Sequence, residues 1–144
     1  MNLDVMYSKQ SDHWKTPTTL MNKLRFDLDV CPYHSTIDYL NKDWGKNTIC
    51  YCNPPYSKIS LWVDKIIEQV IKNNVGVKLL IPARTDTKYF QKLINNVCCD
   101  IIFLKGRLKF NDVGCAPFPS LLIYINEDAS GKFYTIDYRE VTNL

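Results

Sequence analysis

The chain has 144 residues, of which 46% are hydrophobic and 23% are charged, and its formal net charge is +3. This size and balance suit one compact domain whose core needs no disulfide or metal to be stable. The mild positive charge is compatible with a nucleic-acid partner without requiring one. No apolar run is long enough to span a membrane, which argues against an integral membrane protein.

Residues 1–144 are expected to form one domain, in which residues 1–10 are a loose N-terminal arm. Residues 1–5 lack the basic start and apolar segment of a signal peptide, so we expect a cytoplasmic protein. No C-x-x-C pair occurs, which favours free thiols in a reducing compartment over disulfides or a zinc site. The six cysteines are Cys31, Cys50, Cys52, Cys98, Cys99 and Cys115.

The first patterned segment is polar and carries Trp14, which is either a lid over a pocket or a packing anchor. Thr16-Pro17 can open a short helix, because proline is favoured at the first helical position. His13 is interpreted as a solvated loop residue. A strand is then predicted over residues 26–32, where apolar and polar residues alternate. Asp29 lies near its carboxyl end, where an acidic side chain can either hold a cofactor's ribose or amine or cap the following loop.

The central stretch, residues 48–57, predicts a buried strand that ends abruptly in Asn53-Pro54-Pro55-Tyr56. The side-chain carbonyl of Asn53 and the backbone carbonyl of Pro54 are two hydrogen-bond acceptors that suit an amino group. Pro55 restricts the direction of the second carbonyl. Tyr56 offers a flat face for an unstacked base. The plainer alternative is a double-proline turn that leads into a helix capped by Ser57.

The rest of the chain alternates helices with strands. A helix is predicted from Ile59 to Asn73-Asn74 with a supporting Glu68–Lys72 pair, and a second one capped by Thr85 or Asp86. Strands are predicted at residues 77–81, 101–104 and 120–125, and residues 133–138 as an edge strand or a docked tail. This alternation predicts an α/β fold with a mostly parallel central sheet flanked by helices.

A basic segment lies between the last two of these strands. If residues 105–110 are extended, the side chains of Lys105, Arg107 and Lys109 project to one side and suit phosphate contacts. The alternative is an ordinary solvated edge with Leu108 and Phe110 packed below it.

These pieces together resemble the phage-type DNA adenine-N6 methyltransferase (Dam-like) family, over about residues 12–125. The order of the motifs is more specific than the four-residue corner, which many amino-methyltransferases share. The matching stretches are Trp14-x-Thr16-Pro17, Leu28-Asp29-Val30-Cys31, Trp44, Asn53-Pro54-Pro55-Tyr56-Ser57, Trp62-Val63, Ile81-Pro82-Ala83-Arg84-Thr85-Asp86-Thr87, Gly106-Arg107-Leu108-Lys109-Phe110 and Pro117-Phe118-Pro119-Ser120.

The resemblance implies a reduced Rossmann-like methyltransferase fold that uses S-adenosylmethionine, needs no metal, and methylates the N6 amine of adenine in DNA. It implies catalytic roles for Asn53, Pro54, Pro55 and Tyr56. It also implies two sets of binding residues. The cofactor contacts are assigned to Trp14, Thr16, Pro17, Asp29 and Cys31, and the DNA contacts to Arg84, Lys105, Arg107 and Lys109.

Two features depart from the common methyltransferase pattern. The glycine-rich cofactor loop is replaced by Leu28-Asp29-Val30-Cys31-Pro32, and the interval from Cys31 to Asn53 is too short for a complete half-sheet. No separate target-recognition domain is evident, so DNA-site preference would come from loops at residues 84–87 and 106–120. Three alternatives remain open at this level: methylation of cytosine-N4, methylation of a protein glutamine, and a catalytically idle binding protein of the same fold.

Overall fold

The computed structural model describes residues 13–112 and 114–144, and the loose arm predicted at residues 1–10 lies outside this range. The described chain forms three α-helices and six β-strands. In chain order they are α1 (Thr18–Met21), β1 (Leu28–Asp29), β2 (Ile49–Cys52), α2 (Ile59–Asn73), β3 (Gly76–Pro82), α3 (Lys88–Asn96), β4 (Cys99–Leu104), β5 (Ser120–Ile125) and β6 (Phe133–Ile136).

The strands form one sheet in the order β1-β2-β3-β5-β4-β6. The pairs β1–β2, β2–β3 and β4–β6 are parallel, whereas β5 is antiparallel to both β3 and β4. The sheet is therefore mixed, and the prediction of a mostly parallel sheet is wrong. In the connection from β4 to β5, the described residues 105–112 and 114–119 contain a 3-10 turn and no α-helix. A chain that returns beside its own strand without a crossover helix pairs antiparallel.

The strand–corner–helix unit forms at the predicted place, with one difference in how the helix begins. Tyr56–Lys58 is a 3-10 turn, and α2 starts at Ile59 with Lys58 at the N-cap, so the prediction of Ser57 as the cap is wrong. The helix ends as predicted, because Asn74 adopts a left-handed conformation (φ 51°) that terminates it. The cap of α3 is Thr87, whose hydroxyl accepts from the Phe90 N–H, rather than Thr85 or Asp86.

The core has two layers, one on each side of the sheet. One layer packs α2 and α3 against β2, β3 and β5, and the other packs α1, the segment around Phe110 and the C-terminal residues against the opposite face. Tyr51 and Leu80 belong to the second layer while their neighbours Cys52 and Leu79 belong to the first, as strand alternation requires. The site described below lies where both layers reach the edge of the sheet.

Helix α2 also contains a buried polar residue that its apolar pattern does not reveal. Gln69 is fully buried, and its Oε1 accepts from the backbone N–H of Trp44 (2.9 Å) and from Asn73 Nδ2 (2.8 Å). Lys72 pairs with Asp43 (3.1 Å) and Glu68 with Lys65 (3.1 Å), so the predicted Glu68–Lys72 pair is wrong. These contacts tie α2 to the connection between β1 and β2.

Candidate active site

The carboxyl ends of β1 and β2 bring the candidate residues to one edge of the sheet. The two strands are parallel, with Asp29 opposite Tyr51, and Asn53 follows β2 directly. The interval between them holds one 3-10 turn at Tyr39–Asn41, which matches its shortness. In open α/β sheets ligands bind beyond the carboxyl ends of strands. Asn53 and Asp29 therefore lie where a ligand is expected.

The side chain of Asn53 is held through its nitrogen. Nδ2 donates to the backbone carbonyl of Trp14 and to Thr16 Oγ1 (3.1 Å), and Thr16 Oγ1 is in turn 2.6 Å from the Tyr51 hydroxyl. A backbone carbonyl can only accept, so the amide atom that faces Trp14 must be the nitrogen. The amide is thus fixed in one orientation.

The consequence is an amide oxygen that has no partner. Asn53 is 3% exposed, and its Oδ1 is buried with no hydrogen bond to any described residue. Buried polar atoms in native proteins are nearly always satisfied, so an exception calls for an explanation such as a bound ligand. Oδ1 is an acceptor prepared for a donor that residues 13–112 and 114–144 do not supply.

Tyr56 is packed among other aromatic side chains. Its ring stacks on Trp14, with centroids 6.4 Å apart and planes 18° apart, and meets Phe118 edge-on at 5.3 Å. Its hydroxyl is buried without a hydrogen-bond partner among the described residues. Burial raises the pKa of this phenol, Tyr89 raises it further and Arg84 opposes the rise, so the hydroxyl is protonated at neutral pH. One face of Tyr56 is thus covered by Trp14.

Two neighbouring cavities open beside Asn53. The smaller, of about 200 Å³, is lined by Thr16, Asp29, Cys31 and Asn53 together with His13 and Tyr51. The larger, of about 800 Å³, shares His13 and Cys31 with it and extends past Pro55 to Trp62. The indole Nε1 of Trp62 is another buried donor without a partner among the described residues. Asn53 and Asp29 thus line the smaller cavity, and Trp62 lines the larger one beside it.

Asp29 supplies the one carboxyl of the smaller cavity, which Lys15 also lines. Desolvation raises its pKa from 3.8 to about 6, against the opposing hydrogen bond from the Cys31 N–H (3.1 Å). It makes no ion pair with any described residue. The pKa of the adjacent Cys31 thiol is raised to about 12, mainly by burial, so this thiol is neutral. A desolvated carboxylate that forms no ion pair with a described residue favours a positively charged or hydroxylated ligand.

His13 lies in the site, and its interpretation as a solvated loop residue is wrong. Its ring is half-buried, packs edge-on against Tyr33 (5.5 Å), and places Nε2 at 3.0 Å from the backbone carbonyl of Asn53. Since that carbonyl only accepts, Nε2 carries the proton in this contact. The partner is 40 residues away. In the sequence, the one hint that His13 belongs to the site is its place directly before Trp14 and close to Thr16.

The five residues assigned to the cofactor separate into two groups. Thr16, Asp29 and Cys31 line the smaller cavity beside Asn53. Trp14 packs against the aromatic rings of Tyr56, Phe110 and Phe118 and lines neither cavity. Pro17 is buried at the start of α1 and lines neither cavity as well. The structure thus favours the anchor interpretation for Trp14.

The four cationic residues assigned to DNA are exposed along the same edge. Arg84 follows β3 and Lys105 follows β4, and the two strands run in the same direction because both are antiparallel to β5. Arg107 and Lys109 are exposed while Leu108 and Phe110 are buried, a pattern that both interpretations of this segment share. None of the four forms an ion pair within residues 13–112 and 114–144.

Two further properties of the described residues bear on the kind of site. They contain no group of three histidine, cysteine or acidic side chains that could hold a metal ion. No helix among them is long and apolar enough to cross a membrane. The fold and the site together define an α/β protein with a ligand cleft at the carboxyl edge of its sheet and an unsatisfied amide oxygen in that cleft.

Comparison with known proteins gives the family. The family model described as DNA N-6-adenine-methyltransferase (Dam) matches residues 5–133. The chain therefore belongs to the DNA N-6-adenine-methyltransferase family, and the resemblance drawn from the sequence motifs is confirmed.

Two curated relatives carry the same description. The DNA N-6-adenine-methyltransferase of Escherichia phage T1 is 33% identical over 112 residues, which are 67% of this chain and 46% of that protein. The protein of the same name from Haemophilus phage HP1 (strain HP1c1) is 28% identical over 127 residues, or 74% of this chain and 73% of that protein. The match thus spans less than half the length of the T1 protein. No solved structure matches the chain.

Proposed function

We propose that this protein transfers a methyl group from S-adenosylmethionine to the N6 amine of adenine in DNA. The observation that carries the proposal is the buried Oδ1 of Asn53, which has no donor among the described residues while the Trp14 and Thr16 contacts hold the amide nitrogen. Family membership and the names of the two phage relatives support the same activity.

In this proposal the corner residues prepare the amine for methylation. Asn53 Oδ1 and the backbone carbonyl of Pro54 accept the two N–H bonds of the exocyclic amine. Accepting both bonds leaves the nitrogen lone pair available for bond formation. Pro55 restricts the Pro54 carbonyl to an extended direction, which lowers the cost of ordering it. Tyr56 contributes ring surface to the base that leaves the DNA stack.

The residues around the two cavities fit the proposed cofactor. S-adenosylmethionine supplies the methyl group on a positively charged sulfur, beside an amine, a ribose and an adenine ring. The desolvated Asp29 carboxylate suits the amine or the ribose hydroxyls, and the Trp62 Nε1–H, which has no partner among the described residues, suits an acceptor atom. Thr16 and Cys31 complete the wall beside Asn53. A cavity of about 800 Å³ is large enough for a molecule of this size.

We also propose that the fold is a reduced Rossmann-like methyltransferase fold and that it forms one domain. The parallel β2-α2-β3 unit, with the corner at the carboxyl end of β2, supports this assignment. We further propose that the protein acts in the cytoplasm, because DNA and S-adenosylmethionine meet there. If the protein is viral, this is the cytoplasm of the host cell. These assignments follow from the proposed reaction.

The basic residues Arg84, Lys105, Arg107 and Lys109 are proposed to contact DNA phosphates. Replacing Lys105, Arg107 and Lys109 with glutamine is expected to weaken DNA binding at low salt. If each contacts one phosphate, the slope of log K against log salt should become less steep by about 3, near 0.9 per contact. Binding measured by fluorescence anisotropy between about 50 and 200 mM salt reports this slope.

A triple variant of Lys46, Lys72 and Lys92 is the matched control, because it removes the same charge at other exposed positions. Its salt slope should equal that of the unaltered protein. If both triple variants change the slope equally, the effect comes from net charge, and the basic segment is not a phosphate-binding surface.

The proposed reaction is tested by incubating the protein with labelled S-adenosylmethionine and unmethylated DNA, then digesting the DNA to nucleosides. Label in N6-methyladenosine supports the proposal. Label in N4-methylcytosine would mean that the protein methylates an exocyclic amine but that the base is cytosine. Label in protein, with none in DNA, would mean that the methyl acceptor is a protein glutamine. Cofactor binding without transfer to any of these acceptors contradicts the enzymatic proposal and favours an idle binding protein.

A further inference from the structure

The tip of the basic segment is attached to the segment that orients Asn53. Asn111 exchanges two hydrogen bonds with Lys15: its backbone N–H donates to the Lys15 carbonyl (3.0 Å), and its Oδ1 accepts from the Lys15 N–H (3.0 Å). Asp112 accepts from the N–H (3.0 Å) and from the hydroxyl (2.6 Å) of Thr18. Four hydrogen bonds thus join residues 111–112 to residues 15–18, which lie more than 90 positions earlier in the chain.

Residues 14–18 do little to hold themselves in place. α1 is a single turn of four residues, its Pro17 N-cap makes no side-chain hydrogen bond, and an isolated helix of this length is unstable. Asp112 supplies the acceptor that the start of this turn lacks. The position of Thr16 therefore depends on the contacts at both of its sides, Lys15 with Asn111 and Thr18 with Asp112.

The same segment supplies both acceptors of the Asn53 amide. The Trp14 carbonyl and Thr16 Oγ1 receive the two N–H bonds of Nδ2, and they alone determine that Oδ1 faces away. A shift of residues 14–16 would let this amide rotate or move. Displacements of about 1 Å at such groups can lower rates a hundredfold.

The attachment is also continuous with the proposed DNA-contacting residues. Phe110, 2% exposed, packs edge-on against Trp14 with centroids 5.6 Å apart. Arg107 and Lys109 lie on the exposed side of the same stretch, directly before Asn111. A phosphate bound to these cations is thereby connected through Phe110 and residues 111–112 to the segment that orients Asn53.

We propose that Asn111 and Asp112 are positioning residues that form a clasp, through which the basic segment holds Trp14 and Thr16 against Asn53. The clasp fixes the orientation of the Asn53 amide through Trp14 and Thr16. Asn111 also lines the larger cavity, whereas Asp112 lines neither, so the tests below change Asp112 and its partner Thr18. The part of this inference that concerns catalysis rests on the proposed methyl transfer. The structural part, the ordering of the Asn53 amide, does not.

Substitutions at Asp112 and Thr18 test the clasp. Asp112 has φ 55°, so Asp112→Gly removes the carboxylate without the strain that alanine would introduce. Asp112→Asn tolerates the same backbone and keeps an acceptor for the Thr18 N–H. Asp112→Gly is expected to lower kcat about tenfold or more, with the KM for DNA within about twofold, and Asp112→Asn should restore most of kcat.

A second, independent pair uses Thr18. Thr18→Val removes the hydroxyl at nearly constant shape and should also lower kcat, whereas Thr18→Ser should retain it. Thr19→Val is the matched control, because Thr19 is exposed in the same turn and makes no side-chain hydrogen bond to the described residues. Thr18→Val also decides the question if Asp112→Gly does not fold, as judged by circular dichroism.

The readout that separates positioning from activity is hydrogen exchange of the Asn53 side-chain amide, followed by NMR and assigned by its loss in Asn53→Asp. We expect exchange at least about tenfold faster in Asp112→Gly and Thr18→Val than in the unaltered protein and in Thr19→Val. Unchanged exchange together with unchanged kcat overturns the clasp. If the unaltered protein transfers no methyl group to DNA, the proposed function fails, and the exchange comparison alone decides the clasp.

Discussion

Replacing Asn53 with alanine is expected to lower kcat for DNA methylation by about 10² to 10³-fold, the range observed when one preorganised polar group of an active site is removed. The physical reason is that Oδ1 of Asn53 is already oriented and desolvated before any substrate arrives. Alanine removes one of the two proposed acceptors, so one N–H bond of the adenine amine loses its partner. Affinity for S-adenosylmethionine, measured by calorimetry, should change by less than about threefold.

Asn53→Asp refines the same prediction. The aspartate keeps an acceptor, but it places a carboxylate oxygen against the Trp14 carbonyl, where the amide nitrogen donates. Two acceptors facing each other repel, so the side chain should rotate or draw in a proton. We expect kcat between that of Asn53→Ala and that of the unaltered protein.

The matched control for these variants is Asn95→Ala, at an exposed position of α3 far along the chain from the corner. Its kcat should equal that of the unaltered protein. Retention of more than about one third of kcat by Asn53→Ala would contradict the role proposed for Oδ1. Loss of kcat in Asn95→Ala would indicate a general effect on the protein rather than on the site.

Sequence patterns predicted the strand, the corner and α2 because each of them depends on neighbours in the chain. Prolines end a strand for lack of N–H donors, and apolar residues at helical spacing define one buried face. Trp62 and Ile66 are buried as this pattern predicts, whereas Ile71, another apolar residue of the same helix, is 74% exposed. The difference is tertiary, since only the neighbouring elements decide where the buried face of a helix ends.

The contacts that complete the site are long-range, and the sequence contains no local signal for them. Asn53 Nδ2 reaches Trp14 and Thr16 across nearly forty positions, and Asp112 reaches Thr18 across 94. Asn111 and Asp112 look like ordinary turn residues in sequence, as asparagine and aspartate favour turns in general. The strand β5 was predicted, but its antiparallel direction was not. The pattern of burial along a strand does not encode the direction in which the strand runs.

The motif resemblance nevertheless grouped residues that the structure brings together. Thr16, Asp29 and Cys31 surround the same cavity as Asn53, although 37 positions separate the first of them from Asn53. The ordered series of motifs contains this three-dimensional information because it reflects a shared fold. Periodicity within the chain does not contain it.

Asp29→Asn is expected to stabilise the protein and, at the same time, to weaken its binding of S-adenosylmethionine. Burial raises the pKa of Asp29 from 3.8 to about 6, so the folded state disfavours its ionised form. Below pH 3.8 the carboxyl is protonated in both states and contributes nothing. As pH rises towards 6 the unfolded chain ionises first, and stability falls until the full penalty is reached above pH 6.

This penalty has an upper bound of about 3 kcal/mol, from about 1.4 kcal/mol for each pH unit between 3.8 and 6. Asparagine carries no charge and still accepts the Cys31 N–H. Asp29→Asn should therefore raise the free energy of unfolding by about 1–3 kcal/mol at pH 7.5 and by much less at pH 4.5. Urea denaturation at the two pH values measures the difference. Asp27→Asn, at an exposed neighbour whose side-chain oxygen still accepts the Ile49 N–H, should change it by less than about 0.5 kcal/mol.

The same substitution removes the one carboxylate of the smaller cavity, and a hydrogen bond to a charged group contributes about 1.5–3 kcal/mol. Calorimetry at pH 7.5 should therefore show roughly 10- to 100-fold weaker cofactor binding in Asp29→Asn and no change in Asp27→Asn. A gain in stability with unchanged affinity would mean that Asp29 is desolvated but does not contact the cofactor. A loss of both would mean that the carboxylate supports the fold of β1, and the cofactor assignment would then pass to the cleft beside Trp62.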